Sequence, residues 1–120
     1  MKAKLLALLI SVIVIAVPFV ISSTHNHNND LGIPLILCTI LALLLVLFLK
    51  LEVITSAALT TAGGIIAMII GMFVDWHYDP TSHNLFPFEI VINTILFFIA
   101  SITGAGLGFA FNKLFHRSSP

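Results

Sequence analysis

Charge is what this chain has least of. Only 8% of its 120 residues are Asp, Glu, Lys or Arg, while 59% are hydrophobic and the mean hydropathy is +1.16. Soluble domains carry roughly a quarter charged residues, so the composition excludes that class and indicates one integral membrane domain, residues 1–120. Cysteine is nearly absent too: Cys38 stands alone, which rules out an internal disulfide and any Cys-Cys metal or redox motif. Five scattered basic residues make no patch for nucleic acid. There is no Walker loop, no His-Glu-x-x-His, no Gly-x-Ser-x-Gly elbow and no Ser, His, Asp order suggesting a nucleophile, so an enzyme is not expected. No histidine lies inside an apolar run, which excludes a bis-histidine haem, and no acid or base falls near the middle of one, where a proton-coupled exporter would need it.

What the chain does have is four apolar runs, at about 5–21, 33–49, 53–74 and 87–111. Each is near the ~20 residues that cross a bilayer as a helix, which predicts an all-α bundle of four transmembrane helices in up-down order. Lys2 and Lys4 precede the first run, Lys50 separates the second from the third, and Lys113 and Arg117 follow the fourth. The positive-inside rule then puts both termini and the middle turn in the cytoplasm. The two remaining loops, 22–32 and 75–86, contain no Lys or Arg. Low charge and short loops fit a prokaryotic plasma membrane, the location expected here. The start of the chain also resembles a secretory signal peptide with a cut after Ser22, but its apolar stretch is long for one, and it is read as a retained helix. A cut there would expose Ser23-Thr24-His25, a terminus able to bind Cu(II) or Ni(II).

Turn chemistry marks most of the boundaries. Pro18 removes a hydrogen bond late in the first run and favours a kink. Pro34 and Pro87 sit in the first turns of the second and fourth helices, where a missing N–H costs little, and Glu89 is a favourable charge near a helix N-terminus. Between the second and third runs only Lys50-Leu51-Glu52 interrupts the pattern, with no Gly or Pro. A continuous helix over 33–74 would be ~63 Å long, so the chain is expected to fold back there.

Small residues repeat every four positions, at Gly63, Ala67 and Gly71 in the third helix and Ala100, Gly104 and Gly108 in the fourth. In lipid, helices associate through close backbone contact, which such faces permit. Depth matches Gly104 and Gly108 to Ser56 and Thr60 rather than to Gly71, leaving one stripe for the first helix, the second helix or another subunit. Asn93 follows Glu89 by one turn, and the pair is expected to point into the bundle or towards the outer loops. Leu45 is a candidate lipid-facing position.

The outer loops hold the residues that could do chemistry: His25 and His27 in the first, Asp75, His77, Asp79 and His83 in the second, with Glu89 just beyond. Asp75 closes a helix whose dipole disfavours a negative charge there, which a cation would compensate. Imidazole and carboxylate suit a divalent metal such as Zn(II) or Cu(II), while the absence of Cys and Met from both loops argues against Cu(I). His25 and His27 would project together from an extended loop. The plainer reading is a solvated or partner-contacting surface, with Trp76 and Tyr78 as interfacial anchors. The leading expectation is therefore a non-catalytic accessory or structural subunit, with the lipid bilayer and other membrane subunits or its own copies as partners. A divalent-metal-binding or metal-delivery protein is the alternative.

Overall fold

A computed structural model of the chain describes residues 2–25, 32–78 and 86–117; of residues 22–25, 78, 86, 116 and 117 it describes the backbone alone. The described residues form four helices: α1 (Lys2–His25), α2 (Gly32–Phe48), α3 (Val53–Tyr78) and α4 (Phe86–Arg117). The fold is all-helical, as expected. Helices α1, α3 and α4 are each long and apolar enough to cross a membrane. Helix α2 is the most apolar of the four described helices but has 17 residues, about 26 Å of helix.

The helix ends follow the local chemistry, with three departures, one being that α3 runs on to Tyr78, so that Asp75 and His77 lie in its last turns rather than in the loop expected over 75–86. Pro34, Pro87 and Glu89 occupy first turns as expected. Helix α1 continues through Pro18 to His25, so His25 ends a helix and does not begin an extended loop. Helix α4 runs past position 111 to Arg117, since Asn112 to Arg117 contains no Gly or Pro to stop it. The α2–α3 turn needs no glycine because Lys50 itself takes the left-handed conformation, with φ 53°. That conformation ends helices well but costs a side-chain-bearing residue about 1–2 kcal/mol. The next helix is opened by the Glu52 carbonyl, which accepts from the Ser56 N–H at 2.8 Å.

Glycines set the packing. A Cβ added to Gly63 would overlap Ser11 Cβ, and one on Gly71 would lie 3.0 Å from Phe19 Cβ, so α3 lies against α1. The two residue numbers advance together, hence the helices are parallel. On the other side a Cβ on Gly104 would overlap the Thr39 carbonyl oxygen, and one on Gly108 would come within 2.9 Å of the Leu43 oxygen, so α4 lies parallel to α2. Gly64 faces Phe97 and Met68 faces Asn93, an antiparallel pairing of α3 with α4. Direction thus alternates along the chain, yet the most extensive seams are α1–α3, α2–α4 and α3–α4 rather than consecutive neighbours. Gly104 and Gly108 are level with the Ser56 end of α3, as depth suggested, but the atoms nearest to them belong to α2, and both small-residue stripes are used within the chain.

The α1 and α4 backbones do not approach one another, but two rings bridge them. Phe19 and Phe97 meet edge to face with centroids 6.3 Å apart, in space left by Gly71 and Gly64. Around them pack Ile15, Cys38, Leu41, Ala67, Met68 and Met72. A second, smaller group of Ala42, Val46 and Ala105 lies towards the Lys50 turn. The exterior is covered with Ile, Leu, Val and Phe, the inverse of a water-soluble bundle. Leu45 is not part of it: it is only 4% exposed, against 38% for its neighbour Leu44, because it shares the buried face with Leu41.

Candidate functional site

The register places like charges together. Ser11 beside Gly63 carries the N-terminus of α1 to the start of α3, and Asn112 reaches Val46 near the end of α2. The lysines at 2, 4, 50 and 113 and the last turn of α4 therefore share one end of the bundle. Asp75, His77, Glu89 and the C-terminus of α1 share the other.

At that second end three of the seven candidate ligands have described side chains. Asp75 is buried, at 9% exposure, in the final turns of α3; His77 is exposed two residues later, where the helix dipole favours a cation; and Glu89 is half-buried in the first turn of α4. Because Met68 pairs with Asn93, Glu89 is level with Met72, so Asp75 lies about one turn beyond it in depth. None of the three stands without a partner. Among the described residues there is no group of three or more His, Cys, Asp or Glu able to hold a metal ion. Of the remaining candidates, His25 has a described backbone only, and His27, Asp79 and His83 lie outside the described residues. Trp76 packs edge to face on the exposed Phe73, with centroids 5.6 Å apart, consistent with an aromatic anchor near a membrane boundary.

Between the two ends the buried polar groups are small. Ser11, Thr60 and Thr61 donate to carbonyls one turn back in their own helices, at 2.7–2.8 Å. Ser56 donates across the hairpin to the Ala42 carbonyl at 2.9 Å, and Asn112 donates at 3.4 Å to the Val46 carbonyl in the last turn of α2. Asn93 turns inward, as anticipated, and donates to the Met68 thioether. Ser101 Oγ has no hydrogen-bond partner of good geometry among the described residues, and Cys38 on α2 lies beside it.

Comparison with protein-family models, curated proteins and solved structures gives no match. The reading of function therefore rests on the bundle itself. Sequence reasoning missed the capping contact of Asn112, because an amide in a polar tail carries no sign of its partner. It also missed Ser56, whose bond to Ala42 depends on the hairpin geometry.

Proposed function

We propose that the chain is a four-span membrane protein with the lysine end in the cytoplasm, acting as a non-catalytic accessory or structural subunit of a larger membrane complex. The supporting observation is how the interior is closed. Gly63 and Gly104 bring backbones to within contact of Ser11 and Thr39, and the polar atoms between the helices are almost all satisfied by carbonyls. An interior closed by such contacts supports a structural role, with partners met at the lateral surface and the ends. Helix α2, though short, is hydrophobic along its whole length and is joined to its neighbours by the same contacts, which supports counting it as a span. Charge separation between the ends supports the orientation.

The test is recovery of the tagged protein in mild detergent from its own membrane. A partner retained at fixed stoichiometry supports the reading; a chain that is monodisperse and alone at every detergent concentration contradicts it.

A second reading, a divalent-metal site on the outer face, is favoured by the buried Asp75, a carboxylate in the last turns of α3 at the same end of the bundle as His77 and Glu89. Zn(II) or Cu(II) would suit imidazole and carboxylate donors. Metal analysis of protein purified without chelator tests it, with Asp75→Asn as the control expected to lose the ion.

A further inference from the structure

At the lysine end a hollow of about 360 Å³ opens between the α2–α3 turn and α4. Val46, Val53 and Phe109 line it with apolar surface, while Lys50, Glu52 and Asn112 supply the polar groups. Its size lies within the range of small-ligand sites, about 300–1,000 Å³. Lys50 and Glu52 are both exposed, and neither side chain has a hydrogen-bond or ion-pair partner among the described residues. A cation and an anion two residues apart thus flank an apolar hollow. The hollow also reaches the first turn of α3, where backbone N–H groups lack helical acceptors and favour an anion.

From this charge pattern we infer that the hollow is a seat for a zwitterionic aminophospholipid, phosphatidylethanolamine. The phosphate lies on Lys50 and the start of α3, the primary ammonium on Glu52, and an acyl chain along Val46, Val53 and Phe109. A purely anionic headgroup satisfies Lys50 but meets the Glu52 carboxylate. Phosphatidylcholine offers the phosphate, but its methylated nitrogen has no N–H to donate to that carboxylate. Ethanolamine therefore fits best. The inference rests on the bundle lying in a bilayer with this end at the headgroup level, but not on the accessory role.

The experiment is lipid mass spectrometry on the intact purified protein. It is extracted in mild detergent and also reconstituted into nanodiscs of equimolar phosphatidylethanolamine, phosphatidylcholine and phosphatidylglycerol. Wild-type protein should retain phosphatidylethanolamine over phosphatidylcholine by about tenfold, the equivalent of one charge-assisted hydrogen bond. Glu52→Gln should return the ratio to that of the bulk lipid, Lys50→Gln should lower the amount of both zwitterionic lipids retained while keeping the preference, and Lys4→Gln on the far helix should change neither. Because the phosphatidylcholine comparison uses wild-type protein, it does not depend on the variants folding. Enrichment of phosphatidylglycerol that Glu52→Gln leaves intact, or no enrichment at all, overturns the proposal. Release of the chain from membranes by carbonate would remove the bilayer premise itself.

Discussion

Gly104 and Gly106 are two residues apart on α4 and chemically identical, yet the packing assigns them opposite responses to one methyl group. A Cβ on Gly104 would overlap the Thr39 carbonyl oxygen and lie 2.7 Å from its carbon, whereas a Cβ on Gly106 meets nothing within 4 Å. The obstacle at Gly104 is backbone, which cannot turn aside as a side chain can. Restoring ordinary contact requires α2 and α4 to separate by on the order of 1 Å, and a gap of that size forfeits about a quarter to a half of each dispersion contact across the seam. The seam includes Ala42, Val46 and Ala105, all buried. Overpacking of this kind costs about 1–3 kcal/mol at deformable sites, and a backbone obstacle places Gly104→Ala at the upper end. Alanine regains up to ~1 kcal/mol of helix propensity at either position. The expected net effects are a loss of about 2 kcal/mol for Gly104→Ala, roughly a thirtyfold fall in the folded-to-unfolded ratio, and no loss for Gly106→Ala. Reversible unfolding in mixed micelles, followed by far-UV circular dichroism, measures both. Equal stability of the two variants would refute the α2–α4 packing.

On the α1–α3 seam, Gly63→Ala should destabilise and Ser11→Gly should partly restore it, with a coupling of about 1 kcal/mol or more in a double-mutant cycle, since the clash is between two Cβ atoms. Additive effects would mean that these residues do not touch. Lys50→Gly should be neutral or stabilising by up to ~1 kcal/mol, because relief of the left-handed strain offsets the entropy glycine gains when unfolded; a clear loss of stability would contradict the φ of 53°. For the outer-face metal reading, His77→Ala should lower the metal retained by the purified protein, and retention unchanged by that substitution, read by elemental analysis after dialysis, would leave this imidazole out of the site.

The four helices were legible because an apolar run of the right length can do little else, and the prolines at 34 and 87 mark helix starts by their missing N–H. Which helix each small-residue face meets was not legible. Four-residue spacing shows that a face is close-packed but does not name its partner, so Gly104 and Gly108 read equally well as an α3 contact and as the α2 contact they make. Leu45 shows the same limit in another form. In α2 nearly every position is apolar, so composition does not distinguish the buried face from the outward face of Ile36, Ile40 and Leu44. Of the candidate ligands, the sequence indicated a shared end for Asp75, His77 and Glu89, and the register agrees. It offered no distances, since loop spacing alone does not determine how His or Asp side chains converge.

The most direct test of the account is the orientation of the two ends across a membrane. Single cysteines at Asn28, Thr81, Lys50 and Lys113, on a Cys38→Ser background, are exposed in sealed cells to a thiol reagent that does not cross the bilayer. Labelling is expected at Asn28 and Thr81 in intact cells, and at Lys50 and Lys113 only after lysis. Labelling of Lys50 from outside, or of the two loops on opposite sides, would contradict the four-span bundle with a lysine end held in the cytoplasm.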